Sequence, residues 1–360
     1  MKSEKPLSIA NISIALIYDE PKKLIRSTEQ PFPPEAEAEW ETQETINKIA
    51  DAWTRNGCRV IKLPLDKFFL SRWASEHHAI ELVHTVVEGW GAPAREAWIP
   101  ALCELSGIPY IGSDPFAQCV SMKKSTFKIL CRALGVPTSD FHLVLTEEAI
   151  QQIPESLLNR PHFLKPDCEG SGMGIDATHS VGSSPASSRL ACKQLLNDFP
   201  DGVLIEELLP GRELTSAFIG SDPAILLPIA EIEVPDGVYG LSNKSKEAME
   251  EKITFPELTN EMRQTIQSSM LTLQKQIGFE DFVRFDWKLN SSGRPMLLEA
   301  NPLAGLSYYY SVLPKMAEAA GLSYETLLKK IALSALSRRN HRKFWYGRAR
   351  INSKTAEMND

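Results

Sequence analysis

The chain has no apolar run of 18 residues, so no transmembrane helix is expected from it. Its first apolar stretch, Ile9 to Tyr18, follows a short charged start and lacks a small-residue cleavage site. It reads as a strand rather than a signal peptide, and the cytoplasm is the expected compartment. Six cysteines (Cys58, Cys103, Cys119, Cys131, Cys168 and Cys192) form no Cys-x-x-Cys pair, which argues against a zinc ribbon or a thioredoxin-type motif. Six in 360 residues are also too few for a disulfide-built scaffold, so buried thiols are expected. There is no internal repeat, no Walker A loop and no dinucleotide fingerprint. Positive charge is scarce over most of the length. The last 25 residues hold seven basic side chains and two acidic ones, so this tail is +5, and residues 1–335 carry −12 of a chain whose net charge is −7. A nucleic-acid-binding domain is basic where it binds, so the acidic body argues against that class. Hydrophobic residues at 43% and charged ones at 24% are ordinary globular values, which excludes collagen-like and disordered chains.

What is present has alternating order. Ile12–Tyr18 reads as a buried strand, and a Pro-rich loop follows at Pro31, Pro33 and Pro34. Ile46, Ile49, Ala50 and Trp53 then recur at helical spacing up to Gly57. Strands are expected at 59–63 and 81–84, and a helix from Pro93 to Leu105 closed by Gly107. This alternation predicts a parallel sheet with helices on both faces over residues 1–118. Beyond it, a helix at 123–134, strands around Phe163 and Leu204 and a Ser-rich loop at 180–188 suggest a central unit over 119–212. Strands at 214–219, 225–234, 282–289 and 295–299 suggest a third unit over 213–336. A helix through Met262, Ile266, Met270, Leu273 and Ile277 interrupts them, helices at 314–320 and 324–336 follow, and a basic tail runs over 337–360. The fold class expected is α/β followed by α+β.

Four segments carry chemistry. Phe163-Leu-Lys-Pro-Asp-Cys-Glu-Gly-Ser-Gly-Met-Gly174 delivers Lys165 from a strand into a glycine-rich loop, where backbone N–H groups approach phosphate closely and a lysine supplies counter-charge. Val283-Arg-Phe-Asp286 and Leu297-Leu-Glu-Ala-Asn301 put Asp286, Glu299 and Asn301 on two strands as converging oxygen ligands, the donor set of a hard cation. Arg284 shares the face of Asp286 and could hold a developing oxyanion. Val203-Leu-Ile-Glu-Glu-Leu-Leu-Pro-Gly-Arg-Glu213 suits a hinge that holds adenine through backbone and ribose through a carboxylate, and a surface loop is the equal alternative. Met122-Lys-Lys-Ser-Thr-Phe-Lys128 follows Gly107-Ile-Pro-Tyr-Ile-Gly-Ser-Asp114 and sets Lys123 and Lys124 at a helix start, a favourable place for anions.

In this order the segments resemble the ATP-grasp superfamily, and within it the D-alanine–D-alanine ligases, over roughly residues 80–335. The run Leu298-Glu-Ala-Asn-Pro302, Gly305-Leu-Ser, Ser311-Val-Leu-Pro-Lys315 and Gly321-Leu-Ser is the most specific part. The resemblance implies a three-domain fold with ATP between two antiparallel sheets, and a carboxylate–amine ligation through an acyl phosphate that releases ADP and phosphate. It implies that Lys124 and Lys165 contact phosphates, that Glu206, Glu207 and Leu209 line the adenine hinge, and that Glu213 holds the ribose. Asp286, Glu299 and Asn301 would bind two Mg²⁺ ions, with Mn²⁺ as a substitute. Arg284 would stabilise the tetrahedral intermediate, with Ser171, Ser311 and Lys244 in the catalytic set and Lys246 as the rival of Lys244. Amino acids or peptides would be the substrates, and a homodimer is one assembly open to the chain.

The substrate region departs from the family. Its usual N-terminal glutamate for the first ammonium is not recognisable, the His-Gly segment becomes His84-Thr-Val-Val-Glu-Gly-Trp-Gly, and Asn301-Pro-Leu-Ala-Gly305 precedes three tyrosines, Tyr308 to Tyr310. Glu88, Arg95, Glu96 and Gly305 are the candidate substrate contacts. The alternatives are a related ligase for other amino acids or peptides, a phosphotransferase, and a nucleotide-binding module without activity.

Overall fold

Ile14, Ala15, Leu16 and Ile17 are all fully buried, as in a strand covered on both faces, and they form the middle of β1 (Ser13–Asp19) in the computed structural model. The structure describes residues 8–20, 40–175, 180–182, 184–233 and 252–341. α1 (Gln43–Arg55) starts at Thr42, whose side chain caps the Thr45 N–H. β2 (Arg59–Leu65) and β3 (Leu82–Val86) flank β1 in parallel, in the order β2-β1-β3. Ile46, Ile49 and Trp53 of α1 meet Ile14 and Leu16 on one face. α2 (Phe69–Glu76) and α3 (Trp98–Ser106) put Phe69, Trp73, Ile99 and Cys103 against Ala15 and Ile17 on the other. The expected parallel sheet with helices on both faces is present.

α4 (Pro115–Met122) and α5 (Lys124–Ala133) lead into the next layer. There β4 (Phe141–Val144), α6 (Glu155–Leu158), β5 (His162–Pro166), α7 (Pro185–Asp198) and β6 (Val203–Glu207) form an antiparallel sheet, β4-β6-β5, under two helices. A second antiparallel sheet has the order β10-β9-β7-β11-β12. It consists of β7 (Glu213–Ile219), β8 (Ile225–Leu226, paired with β7), β9 (Ala230–Glu233), β10 (Lys252–Thr254), β11 (Phe282–Leu289) and β12 (Pro295–Asn301). α8 (Asn260–Leu273) covers it through Ile266, Met270 and Leu273, continuing as one π-helical stretch to Gly278. α9 (Val312–Ala319) and α10 (Tyr324–His341) close the fold. Their Leu313, Met316, Leu327 and Ile331 join Ile14, Leu16 and Trp53 in one core. No helix among the described residues is long and apolar enough to cross a membrane.

The differences from the sequence reading have local causes. The helix expected from Pro93 is a 3-10 turn at Arg95–Ala97 before α3, because Pro100 has no N–H to bond four residues back and fits only the first turn. The Ser-rich loop of 180–188 gives way at Pro185 to a helix: Ser184 and Ser187 form a reciprocal capping box, and Pro185 stands at the first helical position. The strand expected over 225–234 breaks into β8 and β9 around Pro228. α10 runs to His341, five residues into the expected tail. Arg338, the first base of that tail, is nearly buried; it pairs with Glu280 and Asp281 and donates to the carbonyls of Tyr110 (3.0 Å) and Gly112 (3.1 Å). Phe344, Trp345 and Tyr346 lie outside the described residues, as does the Pro-rich loop.

Candidate active site

The site lies where the two antiparallel sheets meet. β6 of one sheet runs directly into β7 of the other through the hinge Leu208–Arg212. The hinge is pinned by Gly211 N–H to the Leu289 carbonyl (2.9 Å) and Leu289 N–H to the Arg212 carbonyl (3.0 Å). A Cβ on Gly211 would come within 2.6 Å of Leu289 backbone, so only glycine fits this approach. Leu297 N–H to the Pro137 carbonyl (2.7 Å) and Thr138 Oγ1 to the Leu297 carbonyl (2.7 Å) tie the sheets again at β12.

On the β11–β12 side, Arg284 faces Asn301 and Asp286 faces Glu299 in register. A bulge follows, because Trp287 pairs with Leu297 and Leu298 is the extra residue; such bulges re-aim side chains. Asp286 is held by three side chains. Arg284 Nε and Nη2 donate to it at 2.9 and 2.7 Å, Thr215 Oγ1 at 2.8 Å and Asn301 Nδ2 at 2.8 Å. Glu213 sits behind, 3.6 Å from Lys288. Burial raises its carboxyl pKa; Lys288 opposes this, and the charges of Asp286 and Glu299 add to it. Three acids therefore crowd one place, each against one cation (Arg284 at Asp286, Lys288 at Glu213, Lys124 at Glu299), and their oxygens with the Asn301 amide oxygen suit a hard cation. Among the described residues no three His, Cys, Asp or Glu side chains form a closed metal cage.

On the opposite side stand the lysines. Lys124 opens α5, donates to the Glu169 carbonyl and lies 3.7 Å from Glu299. The N-terminus of α5, expected to attract anions, already holds one: Asp167, fully buried, accepts from Ser125 N–H and Ser125 Oγ, both at 2.7 Å. Arg95 is buried too, and it donates to the Cys168 carbonyl (3.1 Å) and the Glu169 carboxylate (3.0 Å). Arg95, expected at substrate, thus anchors the glycine-rich loop from beneath. In that loop Ser171 takes a left-handed φ of 50° between Gly170 and Gly172. Lys165 meets Glu206 Oε1 at 2.5 Å. Lys128, quoted in the motif but given no role by sequence, meets Glu206 Oε2 at 2.7 Å. Burial alone would raise the Glu206 carboxyl; Lys128 and then Lys165 overcome it and hold the group well below the carboxylate range. Leu209 is buried in the hinge and Glu207 half-exposed at the end of β6.

Gly305 and Ser311 also come together: Ser307 N–H donates to Ser311 Oγ (3.1 Å), and a Cβ on Gly305 would lie 2.7 Å from that oxygen. Glu41 reaches the same place from the start of α1. It accepts from the Tyr310 hydroxyl and lies 3.8 Å from that Cβ position, while Thr45 Oγ1 sits 3.0 Å from Ser307 Oγ. Sequence reasoning missed Glu41, because no motif surrounds it and its partners are far along the chain. Glu88 is placed by its N–H on Asp19 (2.8 Å), and Glu96 is half-exposed beside Arg95. Lys244 and Lys246 lie outside the described residues.

Residues 130–332, more than half of the chain, match the family model described as D-ala D-ala ligase C-terminus. A D-alanine–D-alanine ligase of Acidovorax ebreus is 32% identical over 248 residues, which is 68% of this chain and 72% of that one. Among solved structures, the D-alanine–D-alanine ligase of Bacillus anthracis complexed with ATP has a TM-score of 0.71 at 20% identity, over 92% of this chain and 99% of that one. The D-Ala:D-Ser ligase VanG of Enterococcus faecalis has a TM-score of 0.68 at 21% identity, over 89% of this chain and 98% of that one. At these identities the structures speak for the fold.

Proposed function

The chain belongs to the D-alanine–D-alanine ligase family, ATP-dependent ligases that form carbon–nitrogen bonds, and we propose that it joins two amino acids of the D-alanine type, or a close analogue, through an acyl phosphate. The observation that carries this reading is the face shared by Arg284, Asp286, Glu299 and Asn301 across from Lys124 and Lys165. One substrate's carboxylate oxygen attacks the γ-phosphorus and ADP leaves. The second substrate's amine then attacks the acyl carbon, and phosphate leaves with the mixed-anhydride oxygen. Lys124 and Lys165 neutralise phosphate charge and fix its position, which is most of what phosphoryl transfer needs. Arg284, held in place by Asp286, would stabilise the oxygen that becomes negative when the amine adds. Asp286, Glu299 and Asn301 would hold Mg²⁺, with Mn²⁺ as a substitute, and the ion would shield the phosphate oxygens. Glu206, Glu207 and Leu209 would line adenine, and Glu213 would take the ribose. Ser171 would close over phosphate and Lys244 would approach it.

The substrate amine is expected at Gly305, Ser311 and Glu41, where Glu41 supplies the carboxylate for an ammonium. The cytoplasm is the proposed compartment and a homodimer the proposed assembly. The test is phosphate release against pairs of D- and L-amino acids, with mass spectrometry of the product. A pair-dependent signal with an amide product is expected, and Glu299→Ala should abolish it. Near-normal turnover by that variant would sink the site.

A further inference from the structure

Lys128 is fully buried and all three of its ammonium donors are taken: Thr138 Oγ1 at 2.8 Å, Ser139 Oγ at 2.8 Å and Glu206 Oε2 at 2.7 Å. It therefore has no donor left for a nucleotide. Lys124, one helical turn earlier on the same face of α5, and Lys165 both keep some exposure at the edge of the site. The three lysines are not equivalent. Lys165 faces Glu206 Oε1, and Ser139 Oγ adds a second donor to Oε2 at 2.7 Å, so both oxygens of Glu206 are occupied.

Lys165 has donors beyond the one on Glu206 Oε1, but the charge it can give phosphate depends on how far that carboxylate is neutralised by another cation. A buried carboxylate that loses its only cation is left uncompensated, which is strongly unfavourable. Glu206 has two cations, Lys128 in the interior and Lys165 at the edge of the site. We propose that Lys128 is a positioning residue for the ligase reaction: it is the interior counter-ion of Glu206, and it leaves the charge of Lys165, at the edge of the site, available to the phosphates of ATP. Burial lowers the Lys128 pKa and the Glu206 charge opposes this, so the lysine's charge and the carboxylate's depend on each other. The hydroxyls of Thr138 and Ser139 hold Lys128 on Glu206. The inference rests on the nucleotide reading of this site and deepens it.

The test compares the full chain with Lys128→Gln, Glu206→Gln and the double variant, by calorimetric titration with ATP and by kcat and KM. Without Lys128, Glu206 keeps Lys165. Lys128→Gln should therefore raise the Kd and KM for ATP about tenfold, within the range of couplings between contacting residues. In the double variant no carboxylate remains to hold Lys165, so its Kd should lie within about twofold of Glu206→Gln alone. Losses that multiply in the double variant, or a Lys128→Gln enzyme with unchanged ATP affinity, overturn the proposal. If Lys128→Gln fails to fold, the double variant and Glu206→Gln, which strand no carboxylate, still decide it: a tenfold difference between them overturns it. A parent chain that binds no ATP overturns the nucleotide reading itself, and this inference with it.

Discussion

Replacing Arg338 by methionine removes the cation that Asp281 faces and keeps much of the side chain's apolar length. Asp281 has no solvent exposure, and in the variant it retains the Gly112 N–H at 2.9 Å and the Ser221 hydroxyl at 3.4 Å. Removing one partner of a buried pair costs about 3–5 kcal/mol, and the surviving donors place this case near 3 kcal/mol. The loss has a pH signature. Burial raises the Asp281 pKa and Arg338 is the chief influence against it, so without Arg338 the folded-state value climbs further above the unfolded one. The folded chain then binds a proton more readily than the unfolded chain. Stability is therefore fullest below the unfolded carboxylate pKa and is lost as pH rises through the folded value. The variant should lie closest to the parent near about pH 4 and furthest from it near about pH 8. Urea unfolding followed by tryptophan fluorescence at several pH values measures the effect. Asp281→Asn combined with Arg338→Met should recover part of it by removing the stranded charge. A loss under about 1 kcal/mol at the higher pH, the size of an exposed pair, would refute the buried clamp, as would a loss independent of pH.

Two other perturbations are cleanly measured. Asp167→Ala strips α5 of the carboxylate on its first turn and should cost about 1–2 kcal/mol, read by thermal unfolding, with a higher KM for ATP because Lys124 sits in that turn; unchanged stability counts against the cap. His84 is fully buried and accepts from Trp53 Nε1 (3.0 Å), and burial pushes its pKa down to about 3. It must lose its proton to fold, so stability should fall by up to about 1.4 kcal/mol per pH unit below the unfolded pKa near 6.5. His84→Gln should flatten that slope in a pH series of unfolding curves, and an unaltered slope would assign the acid sensitivity elsewhere.

Strand alternation made the shared face of Arg284, Asp286, Glu299 and Asn301 legible, since Arg284 and Asp286 lie two residues apart and Glu299 and Asn301 do too. The bulge at Leu298 was not legible, because register is set by the partner strand. Lys128 illustrates a second limit. A lysine one turn after another on a helix reads as solvated, and only the fold brings Glu206 beneath it. Asp167 is a third case: helix caps are sought next to the helix in sequence, and this one arrives from the end of β5. α7 is hidden by its own start signal, because serines and a proline read as loop and here they form the cap.

The shared core of β1 with α9 and α10 has a consequence for synthesis. Leu313, Leu327 and Ile331, which meet Ile14 and Leu16, leave the ribosome roughly 300 residues after β1. At about 5–20 residues per second that interval is on the order of 15–60 s. During it the face of the first sheet has α1 but not α9 and α10, so its core is completed only by the segment that follows it by roughly 300 residues.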